Sequence, residues 1–220
     1  MLQNPPDGGT LYAETNLAHA FPEPLNAITS GFFLCIAIFW IIKLWGQFRE
    51  HPFLSYCLAL LIIGGIGGTT YHTFRQWPIF ILMDWLQIML LCISAGIYFL
   101  TKLVRWYFSL LLVGGYVAFQ FLFRKMMMAG NHQLFININY AMMAALVLLP
   151  VLAYLIRTKW KAGRWVGIAL LSFIIALTFR IGDKWEWIST GTHFLWHTFG
   201  AIACYCMFRY IYLTKIELRK

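Results

Sequence analysis

Residues 78–100 read PIFILMDWLQIMLLCISAGIYFL, a run with one charged side chain, Asp84. A helix crosses the hydrocarbon core with about 20 mostly apolar residues, so this run predicts a membrane-spanning helix. A carboxylate in hydrocarbon is costly and marks a functional site by default. Six more apolar runs flank it, at 26–45, 53–74, 104–123, 135–156, 163–180 and 190–213. Asp84 is the only acidic residue in any of the seven. The expected fold class is therefore an all-α membrane protein. It is a seven-transmembrane helix bundle over 26–213, between a polar N-terminal segment, 1–25, and a basic tail, 214–220.

Composition agrees. Apolar residues make up 61% of the chain and charged residues 11%, against roughly 25% charged in a soluble domain. The breaks carry loop signals: Arg49-Glu50-His51-Pro52, Gln76-Trp77-Pro78, and Met126 to Gln133. The net charge of +9 sits in short stretches between apolar runs. That distribution excludes a nucleic-acid surface and points to the lipid bilayer. The five cysteines all fall in apolar runs without Cys-x-x-Cys spacing, and read as small buried hydrophobes. The first 24 residues hold no Lys, no Arg and no apolar stretch, so no cleavable signal is expected.

Seven spans put the termini on opposite faces. Arg75, Arg124, Lys125, Arg180 and Lys184 then fall on the N-terminal side, and the other twelve basic residues on the opposite side. The positive-inside rule makes the C-terminus cytoplasmic and the N-terminus outside. This orientation also gathers the polar residues. His72 ends the second span, Asp84 lies about 9 Å into the third at 1.5 Å per residue, and His193 and His197 open the seventh. All four reach similar depth near one face.

His193 and His197 are four apart, so both imidazoles project from one side of a helix. Such a pair is a good grip on a metal. With His72 it makes three imidazoles and an open position, a set that suits zinc. Asp84 is then placed to take a proton from water or to orient a ligand histidine. The bland readings are helix–helix hydrogen bonding for Asp84 and buried polar contacts for the histidines. Gly64-Gly65-Ile66-Gly67-Gly68 before His72 reads as close helix packing. Thr69 and Ser189 each offer a hydroxyl for an oxyanion, or a bond back to their own helix. In the N-terminal segment, Glu14, Asn16 and Glu23 offer hard oxygens to Ca²⁺, or form a solvated loop.

The chain resembles the alkaline ceramidase branch of the CREST superfamily of seven-span membrane hydrolases. That superfamily also includes adiponectin-receptor-like and GPI-remodelling proteins. The resemblance covers nearly the whole chain. It rests on Glu23-Pro24-Leu25-Asn26, on Gly65-Ile66-Gly67 before His72, on Asp84, on Asp183, and on His193-Phe194-Leu195-Trp196-His197. It implies zinc on His72, His193 and His197, with Asp84 and the Thr69 hydroxyl as catalytic groups. It also implies calcium at Glu14, Asn16 and Glu23, and lipid amides as substrates. The chain departs from the family at Gly68, where a serine is expected, and at Leu11, where an acidic calcium ligand is expected. It also departs in a His72-to-Asp84 interval about one residue longer.

The function expected is a zinc-dependent intramembrane amidase that releases a fatty acid from ceramide or a related N-acyl lipid. The alternatives are a lipid ester hydrolase of the same superfamily and a non-enzymatic zinc-stabilised receptor or carrier. For a carrier, the candidate path residues are Gln87, Gln120, Asn137 and Asn139. The compact loops suit a bacterial inner membrane rather than the endoplasmic reticulum or Golgi. Oligomeric state is left open by the sequence.

Overall fold

The structure, a computed structural model, describes residues 5–127 and 132–217, with side chains for all of these except 125–127, 132, 133, 135–137, 216 and 217. Three expectations fall partly outside the described residues: the break at Met126 to Gln133, the end of the basic tail, and the side chain of Asn137.

Among the described residues the fold is helical, without strands. The helices are α1 (Pro24–Ser30), α2 (Phe32–Lys43), α3 (Pro52–Phe74), α4 (Pro78–Leu103), α5 (Phe108–Met127), α6 (His132–Arg157), α7 (Gly163–Gly182) and α8 (His193–Glu217). Pro24, Pro52 and Pro78 open α1, α3 and α4, where a missing N–H costs nothing. The first expected span is broken between α1 and α2 at Ser30-Gly31, a residue pair at which helices commonly kink.

Five segments are long and apolar enough to cross a membrane: Pro24–Lys43, Pro52–Phe74, Pro78–Leu103, Ile138–Arg157 and Gly163–Trp185. They fit a multi-pass membrane protein. The other two expected spans also form helices. In α5 the apolar stretch, Phe108–Arg124, is shorter. In α8 apolar residues are diluted by His193, His197, Arg209 and Lys215. The seventh run was expected to start at Thr190, but α8 begins at His193. Ser189 therefore lies in an exposed turn and not on a helix beside the histidines.

The chain divides into two compact units: residues up to Ile88 together with residues from Ala162, and Met89–Lys161. In the first, α7 packs along α8, and α1, α2 and α8 each contact α3. In the second, Arg157 closes the end of α4, its Nη1 donating to the carbonyls of Lys102 and Leu103 at 3.1 and 3.0 Å. The amides of Gln120 and Asn139 bond each other between α5 and α6, so these two candidate path residues satisfy one another. None of the five cysteines is in a disulfide, and Cys35 is exposed where a buried residue was expected.

Candidate metal centre

The glycine run of α3 determines what lies around His72. A Cβ added at Gly65 would overlap Leu34 of α2, and one at Gly67 would overlap Met83 of α4. One at Gly68 would meet the side chains of Ser30 and Asp84. Without side chains, this face of α3 admits its neighbours to backbone distance, the packing that small residues permit between apolar helices.

His72 then meets the first two turns of α8. The three histidines are 0%, 2% and 3% exposed at positions 72, 193 and 197, and each offers a ring nitrogen within 4.8 Å of the others'. His72 Nε2 and His197 Nε2 stand 3.1 Å apart. Both nitrogens of His193 are buried with no hydrogen-bond partner among the described residues. Imidazole nitrogens buried this way are expensive unless something accepts their lone pairs. A metal ion fits that need: three neutral imidazoles and no thiolate make a donor set that suits zinc.

His72 is held from behind. Its Nδ1 lies 2.5 Å from Glu23 Oε2, with both side chains fully buried. With Nδ1–H donating to the carboxylate, Nε2 is left as the free lone pair, facing the other histidines. Glu23 Oε1 accepts from Thr15 Oγ1 at 2.6 Å and from Arg75 Nη1. Burial alone would raise the Glu23 pKa, but the hydrogen bond from His72 and the charge of Arg75 outweigh it and hold it below the ordinary carboxylate value.

Arg75 is the centre of this arrangement. It caps α3 in the left-handed region at φ 53, a position that usually takes glycine, and its guanidinium is fully buried. It donates to Asp7 Oδ2 at 2.8 Å, to the Thr10 carbonyl at 3.0 Å and to Glu23. Burial opposes its charge, but Asp7 and Glu23 more than compensate. Glu14 meanwhile caps α1, its two oxygens accepting from the N–H groups of Leu25 at 2.6 Å and Asn26 at 2.9 Å. Asn16 Oδ1 accepts from Ala18 N–H at 3.1 Å. Each residue of the calcium set that the resemblance implies thus has a protein partner: Glu23 bonds His72, Thr15 and Arg75, Glu14 caps α1, and Asn16 accepts from Ala18.

Asp183 anchors the other side. Its Oδ1 accepts from the N–H groups of Thr192 at 2.7 Å and His193 at 2.9 Å, and its Oδ2 from Ala13 N–H at 3.2 Å. It thereby starts α8 at His193 and ties down the N-terminal segment. Gly191 makes room for it: φ is +73, and a Cβ there would overlap the Asp183 carboxylate. Tyr12 from the same segment stacks on the His193 ring at 3.8 Å between centroids.

Asp84 is half-buried beside Gly68 and within electrostatic reach of His72 and Arg180. Thr69 Oγ1 is buried with no partner among the described residues and faces Gly31. Sequence reading missed Arg75, Asp7 and Tyr12, and did not foresee the bond between Glu23 and His72. The available signal was charge in a conspicuous place: Arg75 is the first basic residue after His72. Compared with known proteins, the chain matches no family model and no curated protein sequence.

Proposed function

We propose that the protein is a zinc-dependent hydrolase of lipid amides, working in the membrane on ceramide or a related N-acyl lipid. The observation that carries this reading is the three buried histidines, two of whose ring nitrogens have no partner, with a carboxylate beside them. The sequence resemblance to alkaline ceramidases supplies the substrate class. In this reading His72, His193 and His197 hold the metal, and Glu23 fixes the His72 tautomer. Zinc bound there supplies a Lewis acid for the amide carbonyl and lowers the pKa of water. Asp84 takes a proton from the attacking water as the C–O bond forms. It returns that proton to nitrogen as the C–N bond breaks, leaving a fatty acid and an amine. The Thr69 hydroxyl is the donor for the carbonyl oxygen.

The same reading takes seven spans, with the N-terminus outside, the C-terminus cytoplasmic and the site near the outer face of a bacterial inner membrane. The test is to incubate purified protein with ceramide and other N-acyl lipids, with and without a strong chelator, and to measure fatty acid and zinc content. About one zinc per chain and chelator-sensitive release are expected, with both lost in His193→Ala. Zinc without release from any lipid would leave the structural-zinc receptor as the better account.

A further inference from the structure

His72 and His193 differ in what holds their rings. His72 has the Glu23 carboxylate on its Nδ1. His193 has no such partner: it is 2% exposed, and neither ring nitrogen bonds anything among the described residues. Asp183 fixes the His193 backbone, accepting its N–H at 2.9 Å, but that bond leaves the side-chain torsions free. The face of the ring lies against Tyr12. The two rings are stacked, with centroids 3.8 Å apart and planes 22° from parallel. The backbone that carries Tyr12 is pinned independently of its ring. The Tyr12 N–H donates to Thr15 Oγ1 at 2.9 Å, and the Ala13 N–H to Asp183 Oδ2 at 3.2 Å. The Arg75 guanidinium lies 5.8 Å from the Tyr12 ring centroid, within cation–π range.

We propose that Tyr12 is a positioning residue for His193, its ring face orienting that imidazole towards the metal as Glu23 orients His72. The proposal rests on the metal reading above. A metal-bound histidine usually has a hydrogen-bond partner on its second nitrogen, and that partner sets the ring orientation. The χ2 torsion of histidine is intrinsically broad, so without such a partner the packed neighbours decide the plane. A stacked ring restrains that plane from its face. The imidazole lone pairs lie in the plane, so the contact occupies neither nitrogen and leaves one free for the ion. Arg75 then braces both supports, by its bond to Glu23 behind His72 and by its contact with the Tyr12 ring behind His193.

The experiment compares wild type with Tyr12→Phe and Tyr12→Leu, all purified in detergent. The backbone bonds that pin the segment survive both substitutions. Zinc affinity is read by competition with a chromogenic chelator, and ligand geometry by the visible absorption of the Co²⁺-loaded protein. The His193 ring is read by NMR of protein carrying isotope-labelled histidine, assigned with His193→Ala. In wild type the His193 ring protons are expected upfield, shifted by the Tyr12 ring current, and their absence there would overturn the proposal. Tyr12→Phe keeps the stacking face and is expected to match wild type. Tyr12→Leu keeps apolar bulk without the face. It is expected to weaken zinc about two- to tenfold, to change the Co²⁺ absorption and to lose the upfield shift. A merely structural role would lower the thermal midpoint of metal-free Tyr12→Leu and leave the Co²⁺ absorption as in wild type, which would overturn the proposal. So would a Tyr12→Phe protein as impaired as Tyr12→Leu. Wild type that takes up neither metal would remove the metal reading, and the positioning role with it. The upfield shift would then show separately whether Tyr12 stacks on His193.

Discussion

Glu23 Oε2 lies 2.5 Å from His72 Nδ1, joining the residue before α1 to the last turn of α3 across 49 positions of sequence. A carboxylate behind a ligand histidine fixes its tautomer and raises its basicity, and losing such a partner costs about 10–100-fold in metal affinity. Glu23→Gln is nearly the same shape but carries no charge. It is expected to weaken zinc by about that factor while the helices stay folded, read by competition with a chromogenic chelator. Equal zinc affinity in the two proteins would mean that Glu23 serves Arg75 alone.

Metal removal has its own expected outcome. The ring nitrogens of three buried imidazoles lie within 4.8 Å of one another, an arrangement that is costly unless an ion accepts their lone pairs. A ligand bound only by the folded state stabilises it by mass action. Chelation should lower the thermal midpoint, and stoichiometric zinc should restore it. In His197→Ala the same treatment should change little, since two histidines hold zinc weakly. A midpoint indifferent to chelator in wild type would remove zinc from the account.

Calcium should have no such effect. Arg75 already places a permanent positive charge against Asp7 and Glu23. Removing one member of a buried ion pair costs about 3–5 kcal/mol because the other is left uncompensated. Arg75→Ala is therefore expected to be strongly destabilised, and millimolar calcium to recover part of the loss by entering among the freed oxygens. Zinc-loaded wild type should melt at the same temperature with millimolar calcium as without it. A rise in the wild-type midpoint with calcium would show that a cation is accommodated beside Arg75.

Much of the site was legible because its chemistry is conspicuous against hydrocarbon. His72, His193 and His197 stand out in apolar runs, and the four-residue spacing in α8 needs only helix geometry to be read. What stayed hidden depends on contacts distant in sequence. Glu23 and Glu14 look alike in a polar segment, yet one bonds His72 and the other caps α1. Thr69 and Ser189 look like equal hydroxyl donors, but the Asp183 cap and the Gly191 turn delay α8 and leave Ser189 in solvent. The span count is legible from hydropathy only where helices are purely apolar, which excludes the polar α8.

The proposed topology can be tested without reference to activity. An N-terminal tag and a C-terminal tag should lie on opposite sides of the membrane in intact spheroplasts, the first digested by added protease and the second protected. Both tags on one side would remove a span from the seven, with α5 the first suspect because its apolar stretch is short.

Asp183 gives the last prediction, because its two oxygens hold different things. Oδ1 accepts the N–H groups that start α8, and Oδ2 accepts from Ala13 in the N-terminal segment. Asp183→Ala loses both and should cost about 1–2 kcal/mol, the scale of a lost helix cap, with zinc weakened because His193 opens the helix. Asp183→Asn keeps one oxygen for Thr192 and His193 but turns an N–H₂ towards Ala13 N–H, two donors facing each other. That variant should keep its zinc and release the N-terminal segment, with Tyr12 lifting from the His193 ring. Limited proteolysis before Glu14 reads the release, and zinc content reads the helix start. Should both variants lose zinc to the same extent, the segment over His193 would itself be needed to hold the metal site together. Should neither be nicked faster than wild type, Arg75 and Asp7 would be enough to keep that segment in place.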